Sequence, residues 1–326
     1  MSSKSHAKPI VKPIGGQASN ARTENAAGWL WASPWVVGFL GFMLLPIAMS
    51  FYYSLTEYPL LEKPIFIGFD NYASLLSDGV FLRAVGRTAL YALVTIPLST
   101  ILALVIAGML SARVRAGGFF QAAVFLPTLV PMAASAMVWL WLFNAKDGLI
   151  NRTLAAIGIE GPNWLTGTIT FGTDAAGQPI QMPWAFLSVV IIALWGVGQA
   201  VIVYLAALRE VPTSLYEAAA IDGMGPIRRF MSVTLPMISP MILFNVITLT
   251  IGSLQVFVIP YVITKATPGG DPRSLYFFTS AMYDNAFVYA QMGYASAMAW
   301  VQLLVTLILT AGMFLVSKNL VHYRAG

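Results

Sequence analysis

Apolar and polar positions divide the 326-residue chain into six long hydrophobic runs joined by polar connections. The runs cover roughly residues 29–55, 88–110, 119–143, 184–208, 240–263 and 292–317. Each reaches the ~20 apolar residues that a helix needs to cross a hydrocarbon layer of about 30 Å. In such a layer every backbone N–H and C=O must be satisfied within the segment, so the runs predict helices. Strands of alternating polarity, the mark of a membrane barrel, are absent. The fourth run carries no charge, the third contains Pro127 and Pro131, and Pro34, Pro46, Pro97 and Pro127 predict kinks or bent ends. The expected fold class is all-α: a polytopic membrane protein with six transmembrane helices.

Composition supports this solvent argument. Hydrophobic residues make up 58% of the chain and charged residues 10%, with a mean hydropathy of +0.76. Soluble domains carry about 25% charged residues, so much of this exterior must face lipid. The net charge of +5 serves topology rather than nucleic acid, since no basic helix with interleaved aromatics occurs. With six spans, the tails and the even-numbered loops share one side. That side holds 11 of the 18 Lys and Arg residues, including the short basic stretch 111–115, against 7 on the other. The tails are therefore expected in the cytoplasm. Residues 1–28 read as a disordered cytoplasmic tail, 29–320 as the membrane domain with a cytoplasmic loop at 209–236, and 321–326 as a second cytoplasmic tail. The first apolar run is too long for the 7–15-residue core of a signal peptide.

The absences narrow the chemistry. There is no cysteine, and the two histidines, His6 and His322, lie in the tails. The spans hold no His, Asp or Glu cluster, so no catalytic residue and no metal site is expected. No G-x-x-x-x-G-K-[ST] phosphate loop occurs. The spans are also almost free of the ionisable groups typical of ion-coupled carriers, with Arg87 at an edge.

Between the fourth and fifth runs the chain reads Arg209-Glu210-Val211-Pro212-Thr213-Ser214-Leu215-Tyr216-Glu217-Ala218-Ala219-Ala220-Ile221-Asp222-Gly223-Met224-Gly225-Pro226. Pro212 suits the start of a short helix, and the Glu-Ala-Ala-Ala run favours its body. Gly223 and Gly225 predict its end and a sharp turn. Pro226 is expected to open a second short helix that stops before Pro236. Glu217-Ala218-Ala219, Asp222-Gly223, Phe230, Leu235-Pro236 and Pro240 together resemble the EAA loop of binding-protein-dependent ABC importer permeases, and Met224 replaces a usually small residue. Ile67-Gly68-Phe69-Asp70-Asn71-Tyr72, Phe125-Leu126-Pro127, Trp139-Leu140-Trp141-Leu142-Phe143, Gly148-Leu149-Ile150-Asn151 and Gly161-Pro162-Asn163-Trp164-Leu165 are similar to the maltose and glycerol-phosphate type within that family. The polar stretch 172–181 is an insertion with no assigned role.

The resemblance implies a type I ABC importer permease fold and a transporter subunit rather than an enzyme, in a bacterial cytoplasmic (inner) membrane. Implied partners are a second homologous permease, two copies of a cytoplasmic ATPase subunit that bind ATP and Mg, an extracytoplasmic solute-binding protein, and membrane lipid. It implies that Glu217, Ala218, Ala219, Asp222 and Gly223 engage the ATPase. The cargo implied is a sugar or oligosaccharide, with glycerol phosphate or a polyol as the alternative and an independent secondary carrier as the competing mechanism. For the substrate path, polar and aromatic groups near mid-span are the candidates: Trp139, Trp195, Gly196, Gln199, Ser253, Gln255 and Phe257. Trp195 and Gln199 are four apart, which on one helix puts them on one face. Amides in spans also bond neighbouring helices, for roughly 0.6–2 kcal/mol. Leu275 to Phe278, with Met282 and Tyr283, are expected to form a short interfacial helix with aromatic anchors.

Overall fold

A computed structural model describes residues 17–112, 116–173, 179–267 and 274–320. The chain forms two compact units, residues 1–53 and 54–326. Among the described residues, four helices are long and apolar enough to cross a membrane, or six if each of two bent pairs counts as one span.

The first span is helical from Gln17 to Phe39, relaxes into a π-turn over Leu40–Leu44, and resumes at Leu45–Ser54. Helix therefore covers 17–28, where an unstructured tail is expected; residues 1–16 lie outside the described residues. No proline interrupts this helix until Pro34. The π-turn precedes Pro46, whose missing N–H cannot donate to the preceding turn.

In the second unit the second span runs Gly79–Ser111 and the sixth Met292–Leu320. The third and fourth spans are broken. Gly117–Phe125 and a 3₁₀ turn at Leu126–Leu129 meet Met132–Leu142 at 100°. Pro127 and Pro131 bracket that bend. Trp184–Trp195 and Gly198–Arg209 meet at 43°. A side chain at Gly198 would collide with the Val124 carbonyl, so the restart of the fourth span packs directly on third-span backbone. The second span packs against the same segment: Ala103 and Ala107 are fully buried beside Val201, Tyr204 and Leu205. Small residues let the two backbones approach where lipid gives no hydrophobic drive.

The fifth span differs most from expectation. No separate second short helix ends before Pro236. The chain is helical from Pro226 through a π-turn at Phe230–Thr234 into Leu235–Leu254. The wider turn accommodates Pro236 near the start of the following helix, and Pro240 lies inside it. The span breaks at 255–257 and continues as Val258–Ala266.

The ends of the second, third, fourth and fifth spans away from the 209–236 loop carry an aromatic core. Tyr91, Phe143, Phe186, Ile263, Leu275 and Phe277 are buried together. Phe278 is buried with Phe81, Ala297 and Met298. The expectation of interfacial anchors at Leu275–Phe278 is thus corrected: these side chains are core, and the helix they open is Phe278–Tyr283. The stretch 144–167 is held by side-chain hydrogen bonds of its own. Trp164 donates from Nε1 to Asn151 Oδ1 (2.7 Å), and Asn151 donates to the Pro162 carbonyl (3.1 Å). The ends of the polar stretch 172–181 belong to two paired strands, Thr168–Thr173 and Pro179–Pro183, antiparallel with Ile169 opposite Met182, and its middle, 174–178, lies outside the described residues.

Candidate functional site

The 209–236 loop is built by local hydrogen bonds. Its helix spans Thr213–Ile221. At its end the N–H of Met224 donates to Ala219 O (2.9 Å) and that of Gly223 to Ala220 O (3.1 Å). These are the paired bonds of a Schellman motif, which needs a left-handed residue after the cap. Gly223 supplies it, with φ of +69°. Gly225 is extended (φ −66°) and caps the following helix, so only the first glycine is required by conformation.

Tyr216 fixes this helix to the root of the fifth span. Its hydroxyl lies 3.0 Å from Thr234 Oγ1, and the Arg229 guanidinium sits over its ring at 5.6 Å. Ala219, 3% exposed, faces inward. Glu217, Ala218, Asp222 and Gly223 are exposed. So the structure brings four of the five expected contact residues to one accessible turn and uses the fifth for packing. Sequence reasoning missed the apolar part of that surface. Ile221 is 87% exposed and Ile227 77%, with Met231 beside them in sequence and also exposed. Ile221, bare beside the Asp222 carboxylate in a turn outside the spans, has the character of a contact residue. The signal available in the sequence was Ile221 standing alone between Ala220 and Asp222.

The mid-span candidates gather at helix breaks. Trp195 ends one half of the fourth span and Gly196 caps it. Gln199 lies on the other half, so the four-residue spacing does not place it on Trp195's face. Both are exposed. Trp139 is half-buried and meets Trp195 edge to face, with ring centres 5.8 Å apart. In the fifth span Gln255 is the exposed residue at the break, Phe257 opens the next helix, and Ser253 is buried. A helix break leaves backbone groups without intrahelical partners, which inside a membrane is tolerated where protein or a polar cavity receives them. Gln302 of the sixth span does so here, donating from Nε2 to Leu254 O (2.8 Å). Asn245 instead donates to its own helix at Met241 O (3.2 Å). Gln302 was not singled out from sequence. Nor was Tyr261, whose ring lies 4.9 Å from that of Phe257; Tyr283, read as an interfacial anchor, lies 5.1 Å from the same ring. The i, i+4 spacing of Phe257 and Tyr261 was the readable part. Among the described residues no group of His, Asp and Glu is placed to hold a metal.

Comparison with known proteins places this geometry. Residues 96–322 match the family described as binding-protein-dependent transport system inner membrane component. The chain is 31% identical to a probable ABC transporter permease protein of Bacillus subtilis (strain 168), over 95% of this chain and 96% of that one. It is 33% identical to the lactose transport system permease protein of Rhizobium radiobacter, over 93% and 98%. A solved bacterial ABC transporter that imports the acidic polysaccharide alginate contains a chain with the same fold (TM-score 0.73, 21% identity, 93% of this chain and 100% of that one).

Proposed function

Because the chain belongs to the family of binding-protein-dependent transport system inner membrane components, we propose that it is the permease subunit that translocates a sugar or oligosaccharide for an ATP-driven importer. A solute-binding protein delivers the cargo on the outer side. A second, homologous permease completes the path, and two copies of a cytoplasmic ATPase bind ATP and Mg and supply the work. The chain sits in a bacterial cytoplasmic membrane with both tails inside. The permease domain covers 29–320, with tails at 1–28 and 321–326.

The observation that carries this reading is the exposed turn at 217–223. Its conformation is set by Gly223, it is pinned to the fifth span through Tyr216, and it presents Ile221 between Glu217 and Asp222. A load applied to this helix passes through Tyr216 and Thr234 to the π-turn that begins the fifth span. That span carries the break at Gln255 and Phe257. Glu217, Ala218, Asp222 and Gly223 meet the ATPase, and Ala219 keeps the helix close to its own chain. Trp139, Trp195, Gly196, Gln199, Ser253, Gln255 and Phe257 line the route. Amides offer bonds to hydroxyls, and indole or phenyl faces suit the C–H face of a sugar ring. No Lys or Arg is among these residues, which favours a neutral saccharide over glycerol phosphate.

Reconstitution tests it. Proteoliposomes holding this chain with its partner permease and ATPase are expected to take up sugar only with ATP inside and loaded binding protein outside. Glu217→Lys is expected to cut uptake and stimulated hydrolysis together by about tenfold or more, since reversing a charge at a docked contact costs several kcal/mol. Uptake by this chain without any ATPase would establish a secondary carrier instead.

A further inference from the structure

A second constructed site lies at the opposite end of the molecule. A cavity of about 460 Å³ opens between the loop that precedes the second span and the start of the sixth. Its polar lining includes Glu57, Asn71 and Gln291, and its aromatic lining Tyr58, Tyr289 and Tyr294.

The frame is fixed by long-range bonds. Leu60 N–H donates to Ala290 O (3.0 Å) and Met292 N–H to Tyr58 O (2.9 Å), while Pro59 bridges to Gln291. Asn71 Nδ2 donates to the carbonyls of Ser54 and Thr56, each at 2.9 Å. A side chain at Gly293 would strike the Thr56 carbonyl, so the sixth span begins in direct backbone contact with this loop. Ala290, on the wall, holds a left-handed conformation (φ +57°), which costs an L-residue about 1–2 kcal/mol. Strain of this kind persists where surrounding structure imposes it, and it concentrates at functional sites.

The chemistry of the lining selects a cation. Glu57 is an exposed carboxylate at the cavity. Behind it, Tyr294 donates to Asp78 Oδ2 (2.9 Å). No Lys or Arg lines the cavity. Three tyrosine rings supply faces of the kind that attract ammonium and guanidinium groups. The segments expected on this side hold nine acidic residues against seven basic. The lining comes from residues 57–71 and 289–294 alone. None of it belongs to the helix breaks at 196–197 and 255–257, so the cavity is apart from the proposed sugar route.

We propose that this cavity receives a lysine or arginine side chain of the solute-binding protein, and that Glu57 is its counter-charge. The inference rests on the importer reading above and adds to it a specific contact on the outer face.

The assembled complex in proteoliposomes provides the test, with ATP hydrolysis followed against the concentration of binding protein loaded with the transported sugar. Glu57→Gln is expected to raise the half-saturating concentration about fivefold and Glu57→Lys further, with the maximal rate unchanged and Glu57→Asp close to wild type. Added salt is expected to weaken the wild type more than Glu57→Gln. Half-saturation within twofold of wild type in both variants would overturn the proposal. So would a fall in maximal rate alone. Loss of the second permease from the purified Glu57→Lys complex would also overturn it, by making this face a subunit contact. A wild-type complex that no binding protein stimulates would instead overturn the importer reading itself.

Discussion

The two ends of this molecule are held together by different kinds of bond. At the end carrying the 209–236 loop, the turn itself is set by local hydrogen bonds, and a longer link, Tyr216 to Thr234, ties it to the fifth span. Gly223 bonds Ala220 and Met224 bonds Ala219, within five residues of chain. At the other end they are distant. Tyr294 reaches Asp78, Phe278 N–H donates to Thr88 Oγ1 (2.9 Å), and Asn71 reaches back to Ser54 and Thr56. One end is an exposed turn, whereas the other is a set of loops locked to the span ends. The coupling role proposed for the turn asks for a stiff local element on a mechanical root. An end that holds spans in register needs cross-links between them.

The largest expected effect breaks the local end. Gly223→Pro cannot reach the left-handed conformation, because the ring holds φ near −65°. Uptake by the reconstituted complex is expected to fall by about a hundredfold or more, through loss of the turn that presents Glu217, Ile221 and Asp222. The thermal midpoint of the purified chain is expected to move little, since the turn is exposed. A variant that keeps wild-type uptake would remove the turn from the coupling route.

Asn71→Leu breaks the distant end and should show the reverse pattern. The side chain is buried, and its amide serves two carbonyls. Removing it leaves those carbonyls with one partner fewer, at roughly 1–3 kcal/mol. A lower thermal midpoint is expected, with uptake per folded complex at saturating binding protein falling far less than in Gly223→Pro. Equal loss of stability from Gly223→Pro and Asn71→Leu would erase the contrast between the ends.

This contrast also explains what was legible in the sequence. Gly223 was readable because a left-handed cap is a one-residue requirement, and the motif around it is contiguous. The six apolar runs were readable because lipid imposes length and polarity on every span. Motif residues such as Asn71 and Trp164 were matched as patterns, but their work lies in bonds to residues 13 to 17 positions away in sequence. The breaks in the spans were only partly legible. Pro127 announced the bend of the third span. Gly198 gave no sign that its missing side chain would let the fourth span rest on the Val124 carbonyl. Leu275 and Phe277 have the composition of interfacial anchors, and only the packing of Tyr91 and Phe186 against them makes them core. Ile221 was passed over because one apolar residue in a helix end usually faces inward.

The smallest effect tests whether the outer lock is electrostatic. Asp78 caps the second span, accepting from Val80 and Phe81 N–H at 2.8 and 3.3 Å, and takes the Tyr294 hydroxyl. Partial burial pushes its acidity the other way. The Tyr294 bond, the two backbone bonds and the charge of Arg83 outweigh it, and the carboxyl sits below its ordinary value of 3.8. A depressed carboxylate stabilises the fold fully above its unfolded value and loses that contribution as pH falls through the folded one. Wild type and Asp78→Asn should therefore differ modestly in thermal midpoint at neutral pH, and the gap should close below about pH 4. A gap that persists in acid would mean that Asp78 acts by shape and neutral hydrogen bonding. The link between the second and sixth spans would then be a packing joint, and the outer end would share with the coupling turn a dependence on geometry alone.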